Sequence, residues 1–139
     1  MIPDLIRKMT DSPEKVVLWG DGSPTREFLY VDDAVEGLVL GALHYDGSAP
    51  VNLGTGQEIR VGDLAEKIIS LIGTTARVEI DSARLRPPKS EVQRLVSDNR
   101  MAGELIAWQP EVPFTDGLRK TIAWIEDHTS LYTPDRYAI

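Results

Sequence analysis

The stretch that most narrows the fold of this chain begins at Val16-Val-Leu-Trp19. It continues through Gly20-Asp-Gly-Ser-Pro-Thr-Arg-Glu-Phe-Leu-Tyr-Val-Asp-Asp33. A short apolar run meets glycines at 20 and 22 and then Pro24, the residues a tight turn requires. Arg26 to Val31 reads as a second extended segment, because aromatic and β-branched side chains dominate it. Asp32 or Asp33 is placed to cap the helix that follows. A planar guanidinium held between a turn and a rigid element makes a good phosphate receptor, since its fork of donors matches two oxygens at once. Arg26 stands in that position.

The rest of the chain continues the alternation. Ile2, Leu5, Ile6 and Met9 recur at helical spacing. Val35, Leu38, Val39, Ala42 and Leu43 form a helical stripe that ends near Asp46-Gly47. Pro50-Val-Asn-Leu53 reads as a short strand closed by Gly54-Thr-Gly56. A second strong helix covers 61–72 and stops at Gly73, the favoured residue just past a helix end. Arg77 to Ile80 reads as a strand and Ser82 to Val92 as a loop. A short helix from Asp98-Asn99 is broken by Trp108-Gln-Pro110, and the last helix carries Phe114, Leu118, Ile122 and Ile125. Strands alternating with helices give an α/β class. Residues 128–139, with Pro134, are expected to be a loose tail.

Composition excludes several function classes. The 139 residues suffice for one domain with a sizeable core. With no cysteine, the chain has no disulfide scaffold, thiolate zinc site or cysteine nucleophile. His44 and His128 are isolated, so no metal site is expected. A net charge of −7 argues against nucleic acid as partner, because neutralising phosphates requires a basic surface. No apolar run approaches the roughly 20 residues of a membrane span, and no signal peptide is recognisable; the expected location is cytoplasmic. Against that acidic background Arg84, Arg86, Lys89 and Arg94 face a single acid, Glu91. Such a basic island reads either as a local anion site or as a solvated loop.

Both G-x-G pairs fail the dinucleotide fingerprint. Its third small residue is replaced by Ile59 after Gly54 and Gly56, and by Thr25 after Gly20 and Gly22. They read as turns. No G-x-S-x-G elbow is present, and no tyrosine is followed four residues later by lysine.

Four motifs taken in order carry a resemblance. They are Trp19 to Asp33, Pro50-Val-Asn-Leu-Gly-Thr-Gly56, Arg86-Pro-Pro-Lys-Ser-Glu-Val-Gln-Arg-Leu-Val-Ser-Asp-Asn99, and Ala107-Trp-Gln-Pro110. The sequence resembles the C-terminal, substrate-binding part of the extended short-chain dehydrogenase/reductase family, the NAD(P)-dependent nucleotide-sugar epimerases and 4,6-dehydratases. The resemblance covers residues 1–127, and its 86–99 segment looks more like GDP- or CDP-sugar dehydratases than galactose epimerases. It implies the C-terminal portion of a Rossmann-type fold without the cofactor-binding half. It also implies that Arg26, Arg86 and Asn52 bind the substrate diphosphate, that Glu91 approaches the ribose, and that Val17 and Trp19 pack against the base. Each has a plainer reading: a pair between Arg26 and Asp32 or Asp33, a turn role for Asn52, a core role for Trp19.

The glycine-rich NAD loop and the Tyr-x-x-x-Lys that the family carries in its N-terminal half are absent from this sequence. The resemblance therefore implies NAD or NADP for a longer enzyme and no cofactor for this chain alone. It implies a nucleotide-sugar ligand, a missing N-terminal cofactor domain as partner, and self-association of the isolated chain through exposed faces of helices 35–43 and 61–72. The alternative is an interaction module that kept the scaffold and lost its enzymatic function.

Overall fold

A computed structural model describes residues 1–11, 14–81 and 92–131. In chain order, the described elements are α1 (Ile2–Asp11), β1 (Lys15–Trp19), β2 (Thr25–Glu27), α2 (Val31–His44) and β3 (Glu58–Arg60). They continue with α3 (Val61–Ile72), β4 (Arg77–Asp81), β5 (Arg94–Leu95), α4 (Arg100–Ile106) and α5 (Phe114–Asp127). The α/β class is as expected, and the strands form two small sheets. In the first, β1 and β4 pair in parallel, with Lys15 opposite Arg77 and Trp19 opposite Asp81. In the second, β2 lies between β3, antiparallel to it, and β5, parallel to it; Arg26 sits opposite both Ile59 and Leu95.

The main core joins Leu5, Ile6 and Met9 of α1 to Val16 and Leu18 of β1. Leu64, Ala65 and Ile68 of α3 and Leu118, Ile122 and Ile125 of α5 complete it. Helix α3 ends as its sequence dictates, with Gly73 at φ 77° and its N–H bonded to the Ile69 carbonyl. Its partly buried Ile69, Leu71 and Ile72 lie against the same core, so the expected exposed apolar face at 61–72 is covered within the chain. A second cluster gathers Ala102, Ile106 and Trp108 with Leu29, Leu40, Val51 and Leu53. Gly37 permits this approach of α2, since a Cβ there would lie 2.7 Å from Leu53 Cδ1 and 3.1 Å from Trp108 Cε2.

The other side of α2 is open. Val31, Val35, Leu38, Val39 and Leu43 are between 51% and 70% exposed and follow one another at helical spacing. No helix among the described residues is long and apolar enough to cross a membrane.

Two strand expectations need correction. The segment from Arg26 to Val31 leaves its sheet after Glu27. Phe28 stacks on Phe114 with ring centroids 6.1 Å apart, and Tyr30 lies against Gly117 and under the Lys120 ammonium. Packing on α5 thus takes residues 28–30 from the ladder. Pro50–Leu53 forms no strand among the described residues. A strand exists only beside another, and this segment instead turns Val51 and Leu53 towards Trp108. Strands β3 and β5 escaped the sequence reading because each is too short to show alternation.

Candidate functional site

The turn before β2 is built by its glycines. Gly20 has φ 86° and Gly22 φ 71°, values that any other L-residue adopts at a cost. Asp21 accepts the Ser23 hydroxyl at 2.7 Å and the Ser23 N–H at 2.9 Å, and these bonds hold its carboxyl below the usual carboxylate range. The turn carbonyls of Gly22 and Pro24 accept the first N–H groups of α3, from Gly62 and Val61, both at 3.0 Å. A Cβ at Gly22 would press within 3.3 Å of the Gly62 backbone, so turn and helix are fitted to each other.

Arg26 occupies the middle strand of the second sheet. Its Nη1 donates to the carbonyls of Thr25 and Val92, both at 2.7 Å. The Thr25 N–H donates to Gln93 at 2.8 Å. The guanidinium is thus oriented in part by the Val92 carbonyl. Beside it, Glu58 accepts the Thr25 hydroxyl at 2.6 Å and Arg94 Nε at 3.0 Å, and these two lower its pKa, the Thr25 bond most.

Asn52 lies on the adjoining loop. Its Nδ2 donates to the Asp98 carbonyl at a long 3.4 Å, while Asn99 Nδ2 donates back to the Gly54 carbonyl at 2.6 Å. Asp98 forms an exposed fork with Arg100, at 2.6 Å for its shortest bond, and its pKa falls to about 2 chiefly through that side-chain bond. Arg26 and Asn52 therefore stand on segments joined to one another through residues 92–99. Val17, half-buried in β1, lies in the other sheet opposite Glu79. The Trp19 backbone ends the same strand. Arg86 and Glu91 lie outside the described residues.

Two acids organise this region in roles that the sequence does not assign to them. Glu27 accepts four hydrogen bonds: from the Ser97 N–H at 2.5 Å, the Gly56 N–H at 2.6 Å, the Ser97 hydroxyl at 3.0 Å and the Thr55 hydroxyl at 3.2 Å. Partial burial raises its pKa, but these donors outweigh burial and lower it overall. The signal available in the sequence was an acid inside a strand, where a charged side chain needs donors.

Asp33 is the second. Neither it nor Asp32 caps α2; the N-cap is Tyr30, without a side-chain cap bond, and both aspartates lie within the first turn. The Asp33 oxygens accept the N–H groups of Glu111 at 3.2 Å and Val112 at 3.1 Å, and its carbonyl accepts Trp108 Nε1 at 3.0 Å. At 3% exposure, Asp33 fastens the 108–112 segment to α2. Both of its oxygens are engaged there, away from the pairing with Arg26 that its sequence position allowed.

Neither G-x-G run offers a cradle for dinucleotide phosphates. The Gly56 N–H, which such a loop would present to a phosphate, is given to Glu27. The space a Cβ would fill at Gly54 is occupied by Ser97 Oγ and the Glu27 carboxylate. Gly22 faces the Gly62 backbone.

Comparison with known proteins gives the family. A family model described as GDP-mannose 4,6 dehydratase matches residues 1–121. Probable GDP-L-fucose synthase 1 of Oryza sativa subsp. japonica is 33% identical over 128 residues, 89% of this chain and 38% of that protein. The epimerase Mth375 of Methanothermobacter thermautotrophicus shares the fold with a TM-score of 0.83 at 30% identity, covering 94% of this chain and 38% of its own. MoeE5, solved in complex with UDP-glucuronic acid and NAD, matches with a TM-score of 0.78 at 30% identity, covering 91% of this chain and 41% of its own. This chain thus spans 38% to 41% of the length of these proteins. The matched residues take in the turn, the Arg26 strand, the Asn52 loop and the Trp108 break, and the chain belongs to the GDP-mannose 4,6 dehydratase family of NAD-dependent nucleotide-sugar epimerases and dehydratases, within the extended short-chain dehydrogenases.

Proposed function

We propose that this chain is the nucleotide-sugar-binding portion of an NAD(P)-dependent epimerase or dehydratase of the cytoplasm. The observation that carries the reading is the joining of Arg26 and Asn52 to residues 92–99 through the bonds at Val92, Asp98 and Asn99. Arg26 and Arg86 would neutralise the two phosphates, with Asn52 beside them, Glu91 near the ribose, and Val17 and Trp19 towards the base. Holding the diphosphate fixes the sugar for chemistry performed elsewhere, a positioning role. In the longer enzyme, a sugar hydroxyl would be oxidised by NAD, the product epimerised or dehydrated, and the keto intermediate reduced.

Titration of the 139-residue chain followed by amide NMR tests this. GDP or UDP should shift the amides of Arg26, Asn52 and residues 92–99, whereas NAD should show no low-micromolar affinity and no nucleotide sugar should be turned over. Nucleotide titrations that leave those amides unmoved would overturn the reading.

A second reading, an interaction module without enzymatic function, is favoured by one observation, the open apolar stripe of α2. Under the enzyme reading the same stripe would pack against an N-terminal cofactor-binding half of a longer enzyme. Without that half, copies of this chain should associate through it, since apolar patches of this kind mark interfaces. Leu38→Glu together with Leu43→Glu should convert the associated chain to a monomer in light scattering, without loss of helical signal. A parent chain that is monomeric at high concentration and binds no hydrophobic dye would show the stripe to be inert.

A further inference from the structure

The Glu27 side chain accepts four hydrogen bonds from segments distant in sequence, and nothing in the diphosphate reading uses it. Its Oε1 takes the Gly56 N–H and the Ser97 and Thr55 hydroxyls, and its Oε2 takes the Ser97 N–H. An ionised carboxylate offers about four lone-pair sites and donates nothing. All of its capacity is directed inward, so Glu27 is not disposed to touch a ligand. Its donors come from two loops far apart in sequence, 54–57 and 97–99. Those loops are also tied to each other, through Asn99 to the Gly54 carbonyl and Asn52 to the Asp98 carbonyl.

The glycine at 54 records the same requirement from the other side. Its φ is not in the left-handed region, so conformation does not demand glycine there. Space does: a Cβ would collide with Ser97 Oγ and come within 2.5 Å of Glu27 Oε1. Glu27 and Gly54 are two halves of one contact, and Asn52 stands two residues from it. On the strand, Glu27 directly follows Arg26, and successive side chains of a strand face opposite sides. A clamp on one face therefore lies on the side of the strand opposite the guanidinium.

We propose that Glu27 is a positioning residue: its carboxylate clamps the 54–57 and 97–99 loops to β2 and so sets Asn52 and Arg26 at the separation a diphosphate requires. This rests on the nucleotide-sugar reading above. Glutamine is the informative replacement, since it keeps the shape and exchanges one acceptor oxygen for an NH2 donor. That donor would face the Ser97 N–H or the Gly56 N–H, and one loop must move away. The charged groups on β2, β3, β5 and residues 97–100 that accompany Glu27 are Arg26, Glu58, Arg60, Arg94, Asp98 and Arg100. Glu58 and Asp98 are already bonded to Arg94 and Arg100, so neither can replace the missing acceptor without giving up its own partner.

The experiment uses the 139-residue chain and GDP as probe, with amide hydrogen exchange and affinity measured on the same samples. In E27Q the Gly56 and Ser97 amides should lose protection selectively, while amides of α3 and α5 keep theirs. GDP affinity should fall at least about tenfold, the scale of one charge-assisted contact. The double variant E27Q/N52A should bind no more weakly than N52A by more than about twofold, because residues acting through one another are not additive. A purely structural role would give additive losses. Gly54→Ala should reproduce the loss in an otherwise wild-type chain, which guards against an effect peculiar to glutamine. Unchanged protection at Gly56 and Ser97 in E27Q overturns the clamp whatever the ligand does. Selective loss of protection with undiminished GDP affinity overturns the positioning role. Absence of GDP binding to the wild-type chain, with the amides still released in E27Q, overturns the nucleotide reading and the positioning role while leaving the clamp itself established.

Discussion

Replacing Asp33 by alanine should lower the stability of the chain by about 2–3 kcal/mol, the cost of leaving two backbone donors without their acceptor. Those donors are the Glu111 and Val112 N–H groups, and the acceptor is almost fully buried. Their loss would release the 108–112 segment that seats Trp108, itself 2% exposed, against Ala102 and Ile106. The damage should therefore spread to α4 and to the loop at Val51 and Leu53. Urea unfolding measures it: the midpoint should fall with little change in slope. Asp32→Ala is the internal control, since Asp32 is exposed in the same helical turn and its loss should change stability by less than about 0.5 kcal/mol. Equal effects of the two substitutions would show that the helix dipole, and not the tie to 111–112, gives Asp33 its weight.

Arg26→Ala should weaken binding of GDP or UDP by roughly 1.5–3 kcal/mol, about 10- to 150-fold, the scale of hydrogen bonds to a charged group. Arg86→Ala should do the same. Lysine at position 26 should recover only part of the loss, because a point charge cannot make the two-pronged contact of a guanidinium. Arg26 also ties β2 to the Val92 carbonyl, so the alanine variant needs a second measurement. Hydrogen exchange at Thr25 and Gln93 distinguishes a displaced strand from a lost ligand. Unchanged affinity in both alanine variants would remove these arginines from the site.

The helices were legible because their signals are local. Gly73 closes α3, and Ala107, a non-glycine residue at positive φ (51°), ends α4 just before Trp108. The short strands were legible only where apolar runs coincide with pairing, as in Lys15–Trp19 and Arg77–Asp81. Pro50–Leu53 has a strand's residues and no neighbouring strand, and Glu58–Arg60 has a neighbour and hardly a strand's residues. Arg26 and Asn52 are proposed as ligands from motif and chemistry. Glu27 and Asp33 could be seen as acids, but neither carries a mark of the backbone amides it would meet.

By itself, the sequence determined the α/β alternation, the stop of α3 at Gly73, the turn geometry at Gly20 and Gly22, and the residue types suited to a diphosphate. These follow from propensity, periodicity and the stereochemistry of single residues, which act within a few positions of the chain. Tertiary structure alone decided which acids serve the fold. Glu27 reaches Ser97 across 70 positions and Asp33 reaches Val112 across 79. It also decided that α3 is covered while α2 keeps an open apolar face. Burial and hydrogen-bond pairing depend on which segments meet in space, and no local pattern encodes that meeting.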